Sequence, residues 1–177
     1  SAASDVYKRQ PYGATTGGNG RFRAPKPVAP WSGIRNATAY SAPAMQGFFG
    51  WTDNVIGTED CLTLDIVRPN NDEELPVVVY FHGGTFVTGS SHEKVLQGHY
   101  LADTTDIVYI SVNFRLGVFG YLDFRSIGDD CVANPAILDQ ILALRWVHDN
   151  AANFGGDPGR VTIMGESAGG AGVIHLM

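Results

Sequence analysis

Two apolar, β-branched runs constrain this chain more than anything else in it: residues 75–81 (LPVVVYF) and 106–114 (DIVYISVNF). A strand with one wet face alternates apolar and polar side chains. Runs this continuous read instead as strands covered on both faces, the habit of parallel strands between layers of helices. Residues 61–67 (CLTLDIV) and 160–164 (RVTIM) are two further strand candidates.

Between the last two strand candidates stands NPAILDQILALRWVHDNAANFGG. Asn134 is placed as an N-cap, Pro135 takes the first helical position, and Ile137, Ile141, Leu144 and Val147 or Trp146 recur at helical spacing. Gly155 and Gly156 end the helix. Strand, helix, strand, then helix predicts an α/β fold with a mostly parallel central sheet flanked by helices, its first strands mixed.

Residues 11–45 are rich in Pro and Gly (RFRAPKPVAPWSG) and predict an extended surface segment with short edge strands. The opening SAASDVYKRQ is polar and patternless, and residues 1–10 are expected to be foreign to the fold. At the other end AGGAGVIHLM reads as the first turns of a buried helix, so residues 11–177 are expected to be the amino-terminal portion of a larger domain.

With 12 Lys and Arg against 18 Asp and Glu, a net charge of −6 and no basic cluster, the 177 residues give nucleic acid no footprint. No apolar run approaches the roughly 18 residues of a membrane-spanning helix. Cys61 and Cys131 match neither a disulfide framework nor a metal-ligand spacing and are expected to be free thiols. No cofactor or metal is implied. The compartment and oligomeric state are not legible.

The chemistry lies in RVTIMGESAGG. Gly165, Glu166, Ser167, Ala168 and Gly169 form a G-x-S-x-G between a strand and an apolar helix, the context of a nucleophile elbow. Such a turn holds its serine in a strained conformation, and side chains at the flanking positions would meet neighbouring backbone, so Gly165 and Gly169 are required. The N–H of Ala168 then points, with the helix amino terminus, at any oxyanion forming beside Ser167. A second feature is independent of the first. The strand VVVYF runs into His82–Gly83–Gly84–Thr85–Phe86, where Gly83 permits the turn and the N–H groups of Gly84 and Thr85 are candidate oxyanion donors. Loss of one such donor typically costs about 3 to 4 kcal/mol of barrier. His82 is expected to order this loop rather than act as a base, and Glu166 to support the site through hydrogen bonds.

These residues resemble the type B carboxylesterase and cholinesterase family from Pro11 onward. PYGATTGGNGRFRAPKPVAPWSG looks like its early loop, TEDCLTLDI like its EDCL segment, VVVYFHGGTF like its oxyanion strand, VNFRLGVFGYL like its following strand and FGGDPGRVTIMGESAGG like its elbow. The resemblance implies an α/β-hydrolase fold and hydrolysis of small-molecule carboxylic esters by a Ser, Glu or Asp, His triad. Ser167 matches the nucleophile, and Gly84, Thr85 and Ala168 match the oxyanion donors.

Two departures and one further match stand out. The family usually has glycine or alanine where Thr85 stands, so a branched side chain lines the hole. Met45 falls near the place of a cysteine that would pair with one matching Cys61, and cannot cross-link. Trp51 has the spacing of a cation-binding tryptophan, though loop packing is its simpler reading.

In this fold the acid and histidine follow the serine, yet no acid follows Glu166 and the one later histidine is His175. At 8 residues beyond Ser167 it would sit roughly 12 Å along a helix, out of reach. The chain is therefore expected to stop before the rest of the triad and to be inactive alone. Two other readings stay open. One is a cholinesterase-like adhesion or binding protein without chemistry; the other is a lipase, thioesterase or amidase using the same elbow.

Overall fold

A computed structural model describes residues 4–47 and 54–177. Its strands are β1 (Asp5–Pro11), β2 (Gln46–Gly47), β3 (Val55–Ile56), β4 (Thr63–Arg68), β5 (Leu75–Phe81), β6 (Val108–Val112) and β7 (Gly156–Gly165). Its helices are α1 (His99–Thr105), α2 (Gly117–Tyr121), α3 (Pro135–Asn150) and α4 (Ala168–Leu176). Five strands form one sheet in the order β1-β4-β6-β5-β7, and β2 pairs with β3 apart from it. Pairing is antiparallel from β1 through β4 to β6, and parallel from β6 through β5 to β7. This is the mixed start and parallel continuation that the sequence predicts.

The four expected strands are present. All of β6 is buried, whereas β5 buries Leu75, Val77, Val79, Tyr80 and Phe81 but leaves Pro76 and Val78 half-buried. Two clusters explain the difference. Leu64, Ile66, Val77, Val79, Phe81, Val108, Ile110 and Val112 pack with α3 on one face, and Val67, Tyr80, Ala102 and Tyr109 form a smaller cluster under short α1 on the other.

Residues 5–10, expected to stand apart from the fold, have a place in it. They pair with β4 from Asp5↔Arg68 to Pro11↔Thr63, with a register shift between Tyr7 and Gln10. Arg9 has φ +53 there and donates its N–H to Asp65 Oδ1 at 2.8 Å. The polar text is what an edge strand half-buried on both sides requires.

Helix α3 begins with Pro135 at its first position, but Asn134 is not a side-chain cap. It lies at φ 48, ψ 52, and its carbonyl, not its side chain, accepts the N–H of Ile137 at 3.1 Å. The buried face also differs from the expected one: Ala136, Asp139, Gln140, Ala143 and Val147 face the core, while Ile137, Ile141 and Leu144 are half-buried. The reason is an ion pair. Arg115, in the loop after β6, donates from Nε and Nη2 to Asp139 at 2.8 and 2.6 Å, and from Nη1 to the Arg23 carbonyl at 2.8 Å. That pairing turns a polar stripe of α3 inward. Helix α4, expected to be buried, covers only Gly169 and Gly172, and Ile174 is exposed. Cys61 and Cys131 are both free thiols.

Candidate active site

The parallel register brings the two sequence motifs together. Phe81, last residue of β5, lies opposite Gly165, last residue of β7. The HGGTF loop and the GESAG turn therefore leave the sheet side by side at the carboxyl ends of neighbouring strands, where open α/β sheets hold their ligands.

Ser167 sits between β7 and α4 at φ 54, ψ −119, in a region that side chains rarely occupy. The glycines around it leave no room for a side chain. A Cβ on Gly165 would lie 2.5 Å from the Gly169 carbonyl, and one on Gly169 would lie 2.7 Å from the His82 carbonyl oxygen. The Gly83 backbone rests directly on the turn, since a Cβ there would lie 2.9 Å from the Glu166 carbonyl oxygen and 3.1 Å from Ser167 Cβ. Both flanking glycines are thus explained by close backbone approach, as the sequence predicts.

The loop from His82 to Gly89 curls through three consecutive left-handed residues, Gly84 (φ 105), Thr85 (φ 52) and Phe86 (φ 64). Val87 and Thr88 both donate their N–H to the Gly84 carbonyl at 3.0 Å, and Gly117 donates to the Phe86 carbonyl at 2.7 Å. Among the described residues no acceptor takes the N–H of Gly84, Thr85 or Ala168. Three free donors thus flank the turn that carries Ser167, one of them at the positive end of α4. Ser167, Glu166 and Thr85 are exposed, and Gly83, Gly84 and Ala168 are partly so. The two segments that carry these unpaired N–H groups meet where the Gly83 backbone rests on the turn that holds Ser167.

His82 is buried, stacks on Phe114 with ring centroids 4.6 Å apart, and places Nδ1 2.8 Å from the Gly83 carbonyl. Burial pushes its pKa below the usual imidazole range. Its ring thus joins Phe114 to the Gly83 carbonyl at the start of the loop. His175 is exposed, with Nδ1 2.7 Å from the Ala171 carbonyl of its own helix. Glu166 packs its carboxylate at Gly83, and that carboxylate makes no hydrogen bond among the described residues, whereas the Glu166 backbone carbonyl accepts the Gly169 N–H at 2.8 Å. Trp51 lies outside the described residues. Met45 donates its N–H to the Thr58 carbonyl beside Cys61. No group of three or more His, Cys, Asp or Glu among the described residues could hold a metal ion, and no described helix is long and apolar enough to cross a membrane.

The residues that hold the far end of the loop escaped the sequence reading. Gln46, on β2, bonds Thr88 and Gly89, and Asn113 Oδ1 accepts the Ser91 N–H at 2.8 Å. A lone glutamine 42 residues upstream, inside a Pro- and Gly-rich stretch, carries no motif that would have found it.

The profile of the carboxylesterase family matches residues 2–177. The chain is 42% identical over 171 residues to esterase E4 of Myzus persicae, covering 92% of this chain and 30% of that protein. It is 37% identical over 176 residues to the para-nitrobenzyl esterase of Bacillus subtilis (strain 168), covering 97% of this chain and 36% of that protein. A solved PNB esterase superposes with a TM-score of 0.90 at 36% identity, over 98% of this chain and 36% of that one. The chain thus spans about a third of the length of these relatives.

Proposed function

The chain belongs to the carboxylesterase family and has the α/β-hydrolase fold, and on that premise we propose that the full protein carrying it hydrolyses carboxylic esters through an acyl-enzyme on Ser167. The observation that carries this reading is the strained serine at φ 54, ψ −119 standing against a loop whose Gly84 and Thr85 N–H groups are free.

In the proposed reaction Ser167 Oγ attacks the ester carbonyl as a base removes its proton. The carbonyl oxygen becomes an oxyanion and receives hydrogen bonds from the N–H groups of Gly84, Thr85 and Ala168. Collapse expels the alcohol, which takes up the proton, and water then releases the acid by the same steps in reverse roles. Gly83, Gly165 and Gly169 allow the two turns to touch, and Glu166 supports the turn from Gly83. His82 and His175 are both engaged by backbone carbonyls, and since the chain spans about a third of its relatives' length we propose that the base and its acid come from the rest of the full protein. The chain alone is then expected to turn over little ester.

Labelling the full-length protein with a fluorophosphonate, followed by mass spectrometry of the modified peptide, tests the reading. A tag on Ser167 that disappears in Ser167→Ala is expected. A folded wild-type protein that takes no tag would shift the assignment to a binding protein without chemistry. A panel of ester, thioester and amide substrates then separates an esterase from the other acyl hydrolases that share this elbow.

A further inference from the structure

We infer that Gln46 is a positioning residue for the oxyanion hole, acting through Gly89; the inference rests on the esterase reading above. Gln46 is 8% exposed and spends its whole side-chain hydrogen-bonding capacity on one end of the loop and on the segment just before its own strand. Oε1 accepts from the Gly89 N–H at 2.9 Å and from Thr88 Oγ1 at 2.6 Å, and Nε2 donates to the Gly89 carbonyl at 2.9 Å and to the Ala44 carbonyl at 3.0 Å. The amide therefore grips both polar groups of the Gly89 residue, as a neighbouring strand would.

Gly89 is where such a grip reaches the hole. It has φ +120, and a Cβ there would lie 2.7 Å from His82 Cε1 and 2.8 Å from the Gly83 carbonyl oxygen. The end of the loop thus rests on its beginning. Between the two lie the left-handed Gly84, Thr85 and Phe86, a run that persists only where the surroundings over-determine it. The Thr88 N–H bond to Gly84 closes the loop from inside, and Gln46 closes it from outside. Gln46 is itself anchored by the β2–β3 pairing and by the exchange of N–H bonds between residues 43–45 and Thr58. Removing the amide leaves the Gly89 N–H and carbonyl buried without partners, and the loop can regain them only by moving the segment that carries the two donors.

Full-length wild type, Gln46→Met and Thr88→Val should be compared. The first variant keeps the volume and deletes all four bonds; the second is nearly isosteric and deletes one. An aliquot of each preparation is titrated to completion with fluorophosphonate, so that kcat is expressed per reactive Ser167, and an untreated portion is assayed with a p-nitrophenyl ester and with a trifluoromethyl ketone, whose tetrahedral adduct places an oxyanion in the hole. The expected result for Gln46→Met is a kcat per site about 100-fold lower, a KM within about twofold, and trifluoromethyl ketone affinity weakened by the same factor as kcat. Thr88→Val is expected to move both quantities the same way by about fivefold. Variants with fewer reactive sites but wild-type kcat per site and wild-type ketone affinity would show that Gln46 serves folding alone and would overturn the inference. A folding failure of Gln46→Met leaves Thr88→Val to decide on the same two readouts. Wild type that neither labels nor turns over ester removes the esterase reading, and this inference with it.

Discussion

Thr85 is a β-branched residue at φ 52, a conformation that costs of order 1 kcal/mol or more for such a side chain, and its side chain is exposed rather than packed. Replacing it by glycine removes the strain without unpacking a buried side chain among the described residues. Thr85→Gly is expected to raise the unfolding free energy of the full-length protein by about 1 kcal/mol in urea titration. Gly165 is the opposite case, since any Cβ there meets the Gly169 carbonyl at 2.5 Å and backbone must shift. Gly165→Ala is expected to lose about 1 to 3 kcal/mol of stability and most fluorophosphonate reactivity, because the shift falls on the turn that holds Ser167.

The elements around the site are tied together by Arg115 and Asp139, whose side chains are 3% and 0% exposed. One arginine joins the loop after β6, helix α3 and the early segment at Arg23. Burial makes the pair a poor source of net stability, yet breaking it strands a charge in the core. Asp139→Ala is expected to cost about 3 to 5 kcal/mol, measured by denaturant unfolding. The double change Arg115→Met with Asp139→Leu should recover most of that loss. Recovery would show that the polar stripe of α3 fixes its orientation rather than its stability.

At the scale of the molecule, a buried polar network ties the β1 edge to the sheet centre. Asp65 accepts from the Arg9 N–H at 2.8 Å and from Ser91 Oγ at 2.5 Å, and Asn113 links Ser91 to Ser41. Burial holds the Asp65 carboxyl above its ordinary range, with the Ser91 hydroxyl and the Arg9 N–H pulling the other way. A carboxyl with a raised native pKa binds its proton more tightly when folded than when unfolded. Its contribution to stability is therefore fully present below the unfolded value near 4 and declines as pH rises through the native value. Asp65→Asn keeps an acceptor without the charge. Its melting temperature between pH 4 and 8 is expected to fall less with rising pH than that of wild type.

The sequence alone determined four of the seven described strands, β4 to β7, and the two motifs. Continuous β-branched runs have no low-energy use except as covered strands, and G-x-S-x-G after one of them specifies a turn that glycine must flank. It also revealed the free thiols and the start of α3 at Pro135. Local pattern misled where a non-local partner decided. The polar residues 5–10 are a strand because β4 offers them an edge, and the inward face of α3 follows Arg115, 24 residues away. What only the tertiary structure decided is the register. Phe81 opposite Gly165 sets the HGGTF loop against Ser167, and Gln46 reaches Gly89 from another sheet. These juxtapositions are formed by backbone ladders and side-chain hydrogen bonds between segments more than 40 residues apart, and such bonds leave no periodicity in the text of either segment.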